Sequence, residues 1–234
     1  MRLPAETDSI NVLVNYGRYA IARVRADPGV KALAGVLATP HTALLKQIGA
    51  RNQAADALID AEAVRDFAFA QFGEVVLDLG RQAYAHFGSR KADGYLRLFP
   101  EAPSTLAELP GKDRAVKLGA LVKEFKAAET PKAFAPTVKV LGEWWEKLQS
   151  AQGAVEAAEG ALEKERKAEG VARKGWFDGY KRLHAQLTDK YPSEKKRVDG
   201  YFRSAAGKKK AAPAPVVTPT QGGPAVAKRA GESA

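Results

Sequence analysis

At 234 residues with 45% hydrophobic side chains, the chain is long enough for one large domain or two small ones. It has no cysteine, which excludes disulfides, thiolate metal sites and cysteine nucleophiles. Its net charge of +10 is uneven: residues 1–107 carry 12 basic and 11 acidic side chains, residues 108–205 carry 20 and 15, and residues 206–234 carry five and one.

The asymmetry points to an anionic partner for the C-terminal half. The plainer reading is that lysine and arginine solubilise helix faces. Met1-Arg2-Leu3-Pro4-Ala5-Glu6 turns polar at once and lacks the apolar core of a secretory signal. No run approaches the ~20 apolar residues of a membrane helix. The chain therefore reads as soluble and cytoplasmic, and its Ala, Arg and Gly usage fits a high-GC bacterial genome.

A first helix is expected from Asp8 or Ser9, either of which can cap it, with Ile10, Leu13, Val14, Ile21 and Val24 at helical spacing. Asp27-Pro28-Gly29 breaks that helix. Thr39 and Pro40 then read as the cap and first turn of a second one, because proline at the first helical position loses no hydrogen bond. Nothing stops it before Gly88, which implies a helix roughly 70 Å long at 1.5 Å per residue. Its stripe is Leu44, Ile48, Ala55, Leu58, Phe69, Phe72, Val76, Leu79 and Ala83.

Ser89 to Gly111 is a connector too apolar to be a free linker, and Tyr95, Leu98 and Phe99 are expected to tuck against a bundle end. A shorter helix follows over 113–128, with Val116, Leu118, Leu121, Val122 and Phe125 as its stripe. After Pro131 and Pro136 a second long helix is expected from Thr137 to Lys190, its stripe including Val140, Leu141, Trp144, Leu148, Leu162, Val171 and Trp176. Pro192 ends it, and Ser193 to Ser204 reads as a short terminal helix or turn.

The first 205 residues are one helical pattern written twice. A shift of 104 places Leu37 on Leu141, Leu44 on Leu148, Leu58 on Leu162, Phe72 on Trp176, Leu79 on Leu183 and Phe87 on Tyr191. Two further residues of slippage bring Asp93-Gly94-Tyr95 onto Asp199-Gly200-Tyr201. Such a duplication predicts an all-α fold: an elongated antiparallel helical bundle or coiled coil built from two similar halves, 1–107 and 108–205. Residues 206–234 change composition abruptly, hold four prolines and no aromatic residue, and should stay unfolded.

Candidate chemistry is sparse. Asp56, Asp60, Glu62, Arg65 and Asp66 make the middle of the first long helix polar, with Asp56, Asp60 and, nearly, Glu62 or Ala63 along one face, and inward carboxylates in bundles can hold two metal ions. That chemistry needs Glu-x-x-His, whereas His41, His86 and His184 follow Ala38, Ala83 and Lys181. A solvated stripe, with Glu62 and Arg65 meeting Glu165 or Arg166 across the bundle, is the alternative. No phosphate loop, dinucleotide fingerprint, nucleophile elbow or zinc-protease motif is present in the sequence, and no metal or other cofactor is expected. Gly73, Gly80, Gly153, Gly160, Gly170 and Gly175 interrupt the helical pattern, and close helix approach is the expected reason.

Two groups bear on partners. Arg173, Lys174, Lys181 and Arg182 are interleaved with Trp176, Phe177, Tyr180 and His184, the residue types of a single-strand nucleic-acid platform, although 176, 180, 183 and 187 also continue the core stripe. Trp144-Trp145 puts one indole toward the core and the other toward an interface. Lys208, Lys209, Lys210, Lys228 and Arg229 form the cationic part of the tail. In composition alone the tail resembles the lysine-alanine-proline tails of linker histones and some bacterial nucleoid proteins, which implies salt-sensitive polyanion binding or a plain tether. The sequence thus suggests a non-enzymatic interaction or scaffold protein with an unknown protein partner. The alternative is a nucleic-acid-associated protein using the basic second half and tail.

Overall fold

A computed structural model describes residues 4–5, 7–108, 111–127 and 131–202, and among them every regular element is helical. The expected unfolded tail lies outside the described residues. Helix α1 spans Ile10–Ala26, and a single 3-10 turn at Lys31–Leu33 leads into α2, Ala34–Phe87. Short helices α3 (Asp93–Leu98) and α4 (Pro103–Glu108) turn the chain. The plan then repeats, with α5 (Gly111–Ala127), a 3-10 turn at Lys132–Phe134, α6 (Ala135–Lys190) and α7 (Lys195–Gly200).

The long helices have 54 and 56 residues, so each is about 80 Å long. They pack antiparallel along their matched stripes. Gln82 Nε2 bonds Thr137 Oγ1 at 2.9 Å near one end, and Trp176 Nε1 bonds His41 Nδ1 at 3.2 Å near the other. Gly88, at φ 71°, closes α2 in the left-handed conformation that glycine adopts without strain.

The duplication is visible in burial. Gly17, Ala20, Ile21 and Val24 of α1 are buried at the same spacing as Leu118, Leu121, Val122 and Phe125 of α5. Leu37, Leu44, Phe72, Leu79 and Ala83 match Leu141, Leu148, Trp176, Leu183 and Leu187 at the 104-residue offset, and all ten are buried. Even contacts repeat: the tilted ring pair Phe72–Trp145, 5.9 Å apart, is the counterpart of Trp176–His41.

The short helices do not extend the bundle over its whole length. One apolar cluster joins α1, the start of α2, the end of α6 and α7. The other joins the end of α2, α3, α4, α5 and the start of α6. Between them, among the described residues, lies a waist of two helices only, where Val155 and Leu162 are buried but Leu58 and Ala61 are half-exposed. The described residues form a dumbbell: two helical ends on a thin coiled-coil bar.

The ends differ for a simple steric reason. Gly73 and Gly80 let α4 lie against α2, since a Cβ on Gly80 would stand 2.5 Å from the Pro103 ring. Their counterparts are Phe177 and His184. Phe177 is buried against Trp176, and His184 packs 5.3 Å from Phe202, so side chains take up space there.

Several boundaries depart from the sequence reading. Thr39 is not a cap; α2 starts at Ala34 and carries Pro40 inside it. An interior proline strips the carbonyl four residues earlier of its helical donor. Here that carbonyl, of Val36, and the Pro40 ring face Gly179, whose missing Cβ would lie 3.1 and 2.6 Å from them. Tertiary packing thus accommodates the proline. Helix α6 likewise starts two residues early, with Pro136 in its first turn. Val116 and Val171, assigned to core stripes, are exposed, as is Val140. Of the six helical glycines expected to mark close approach, Gly73 and Gly80 do so; around Gly153, Gly160, Gly170 and Gly175 the space is open.

Candidate interaction surfaces

The proposed platform on α6 separates into two layers. Trp176 and Tyr180 are fully buried, stacked at 4.9 Å, and Phe177 is buried edge-on to Trp176. The spacing that joined them to the core stripe decides their orientation. They offer no face for a base to stack on. Lys174, Lys181 and Arg182 project outward and are exposed, with Asp178 between them. Arg173 is half-buried and donates to the Asp8 carbonyl, tying α6 to the start of α1. What remains is a cationic edge with no aromatic component. Lys208, Lys209, Lys210, Lys228 and Arg229 lie outside the described residues.

The two adjacent tryptophans do not divide between core and surface. Both are half-buried. Trp144 stands edge-on to exposed Phe67 at 6.0 Å, with Lys147 Nζ 4.1 Å above its ring. Trp145 packs on Phe72 and on Gly119, where a Cβ would come within 3.1 Å of its ring. It also walls an open groove of about 420 Å³ with Phe69, Val116 and Leu148. Val116, 74% exposed, forms the groove's outer lip.

A second hollow, about 300 Å³, lies between α3, α4 and α5 over Leu98, Leu106 and Leu121. Its mouth is edged by the Lys117–Glu101 pair at 2.6 Å and the longer Arg97–Glu124 pair at 3.8 Å. Its lining joins aliphatic side chains to paired charges and supplies no nucleophile with an adjacent base.

The carboxylates of the first long helix do not converge. Asp56, Asp60 and Asp66 are exposed, Glu62 is half-buried, and among the described residues no group of three or more metal-ligating side chains gathers. The register pairs proposed from sequence are replaced by others. Gln47 bonds Glu165 and Arg51 bridges Glu169 at 3.0 Å, whereas Arg65 turns to its neighbour Asp66. The antiparallel alignment sets Gln47 and Arg51, not Glu62 and Arg65, beside that part of α6.

The perturbed titrating groups serve packing. His41 is the one buried polar side chain among the described residues. Burial foremost, and the Arg18 charge second, hold its pKa below the ordinary histidine value. At the end of α1, Asp27 accepts from the Tyr201 hydroxyl, the Gly29 amide at 2.8 Å and Arg197 at 3.1 Å. These bonds, in that order of effect, hold its carboxyl below the usual carboxylate range. Tyr201 is pushed up to about 12, by burial first and by its bond to Asp27 second. This cluster latches α7 onto the α1–α2 turn.

Sequence reasoning missed the His41–Trp176 pair, although one signal was available: at the 104 offset His41 aligns with Trp145 and Trp176 with Phe72. Among the described residues no helix is long and apolar enough to cross a membrane. No known family model, curated protein or solved structure matches the chain.

Proposed function

We propose that the protein works without catalysis, as a helical spacer that holds two similar bundle ends apart and docks a protein partner at the α5 end. The observation behind this reading is the groove of Phe69, Val116, Trp145 and Leu148, an exposed apolar surface beside half-buried indoles, as protein interfaces favour. The separation of the two apolar clusters along α2 supports the spacer role. From Leu44 to Phe72 the helix advances about 42 Å, which fixes the distance between whatever the two ends hold.

A photo-crosslinking amino acid at Val116, in cells that make the protein, tests it. The reading expects one discrete protein adduct that is lost when Trp145→Ala is added. Adducts no stronger than from a probe at exposed Ala85 would overturn it.

The nucleic-acid reading is favoured by exposed Lys174, Lys181 and Arg182, together with the net +4 of residues 206–234. It requires that the purified chain carry nucleic acid at low salt and release it as salt rises.

A further inference from the structure

The fold sorts charge in a way the chain order hides. Read by halves, residues 1–107 and 108–205 carry net charges of +1 and +5, but neither half is a body of the structure. The end built from α1, the start of α2, the end of α6 and α7 takes in residues 10–48 and 172–202. These hold 13 basic and five acidic side chains, a net of +8. The waist, residues 49–66 and 151–171, has five basic and nine acidic, a net of −4. Residues 67–150, which hold the other end, have 12 and ten. One tip of the dumbbell is therefore strongly positive, and the bar beside it has the opposite sign.

The cations of this tip stand in solvent. Gly17 and Val24 of α1 are buried two turns apart. Arg18 and Arg25, each one residue on, are turned about 100° away from them and exposed. On α6, Arg173 holds the start of α1 and Tyr180 packs on Phe202, while Lys174 and Lys181, again one residue on, are exposed. Arg23 donates to the Gly200 carbonyl at 3.3 Å, which sets α7, with exposed Lys195 and Lys196, beside α1. Two carboxylates of the tip, Asp27 and Glu194, are both taken by Arg197. Among the described residues no ion pair engages Arg18, Arg25, Lys174, Lys181, Lys195 or Lys196. Residues seven apart on a helix stand about 10.5 Å from each other. That is close to the Debye length of about 10 Å at 0.1 M salt, so neighbouring fields add.

We infer that the α1–α7 end binds duplex nucleic acid through its phosphates. The inference rests on the nucleic-acid reading above and names its site, a surface assembled from both halves in which α1 and α7 contribute alongside α6. Burial selects the kind of polyanion. A lipid surface takes cations together with apolar side chains that insert. Among the described residues this end exposes only Tyr19, at 39%, and Val171 at its border with the waist. A single strand needs aromatic faces on which bases stack, and Trp176, Phe177 and Tyr180 are buried. What the end offers is cationic donors spread along the roughly 25 Å of α1, suited to the regular charge of a duplex backbone.

Fluorescence anisotropy of a labelled short duplex, titrated with the full chain across a salt series, tests the inference. The wild type should bind at low salt and lose affinity steeply as salt rises. Arg25→Gln, Lys174→Gln, Lys181→Gln and Lys196→Gln together should flatten the slope of log affinity against log salt by about 3–4 units at unchanged helicity, since each lost phosphate contact removes about 0.9. Lys91→Gln, Lys123→Gln, Lys132→Gln and Lys139→Gln remove the same charge from exposed positions of the other end, and should alter the slope by less than about one unit. Equal weakening by the two sets would mean that net charge alone attracts the duplex, which overturns the inference and leaves the nucleic-acid reading standing. So does a first set that binds as the wild type does, because the contacts then lie elsewhere in the chain. A wild type that ignores the duplex at low salt, or that binds phosphatidylserine vesicles and leaves the duplex free, overturns both.

Discussion

The indole nitrogen of Trp176 donates to Nδ1 of His41 across 3.2 Å, and that bond determines the protonation state of the imidazole. With Nδ1 accepting, the ring is neutral and its proton sits on Nε2. Protonating Nδ1 would set one N–H against another in a buried site beside Arg18. The folded protein therefore holds His41 below its ordinary pKa, and the unfolded chain takes up the proton first. Stability from this site is complete above about pH 6.5, the ordinary histidine value, and declines as pH falls below it. Melting temperatures at pH 8 and pH 5 check this. His41→Asn keeps an acceptor near the Nδ1 position without titrating, so its melting temperature should fall less over that interval than the wild type's.

Phe72 and Trp176 are equivalent, fully buried and in different clusters. Truncating either to alanine should cost about 3–5 kcal/mol. Because they share no partner, the double variant should lose the sum to within about 0.5 kcal/mol. Chemical denaturation of the three variants measures it, and strong coupling would mean the two ends pack as one core.

Glycine substitutions should divide by surroundings. A methyl group on Gly17 would lie 2.4 Å from His41 Nδ1 and 2.9 Å from the Trp176 indole nitrogen, so Gly17→Ala must push α1 off its bed at a cost of about 1–3 kcal/mol. Gly170 has open space around it, and Gly170→Ala should stabilise α6 by up to about 1 kcal/mol through helix propensity alone. Thermal unfolding of the two variants should move in opposite directions.

These sites show which features the sequence carried. The duplication was legible because Leu44, Phe72 and Leu79 recur as Leu148, Trp176 and Leu183, and a stripe conserved in register fixes which faces meet. The start of α2 was not, because a proline at a first turn and a proline over a facing glycine look alike until Gly179 is seen beside Pro40. Val116 and Val171 were misassigned because hydrophobicity marks a residue as apolar without saying which line of the helix it joins. The dumbbell shape was hidden for a related reason. The 3-4 repeat runs through the waist unbroken, and only the decrease in side-chain size, to alanines 54, 55, 57 and 61, distinguishes bar from end.

Deleting residues 206–234 separates the scaffold and polyanion readings. Helicity and melting temperature of the remaining chain should stay nearly unchanged. If the five cations contact phosphates, the slope of log affinity against log salt on a short duplex flattens by as much as about 4–5 units. The spacer reading expects equal, negligible binding by both chains at every salt concentration.

The central claim is that two unbroken helices run antiparallel through a bare waist, and distances between spin labels test it most directly. The chain has no cysteine, so introduced pairs label specifically. Gly49→Cys with Ala85→Cys spans 36 residues of α2 and should give about 54 Å if the helix is continuous. Ala85→Cys with Lys132→Cys should give under about 20 Å, since helices in contact lie about 10 Å apart. Dilution with unlabelled protein keeps each distance within one chain. A first distance below about 35 Å, at which α2 must fold back on itself, would contradict the account.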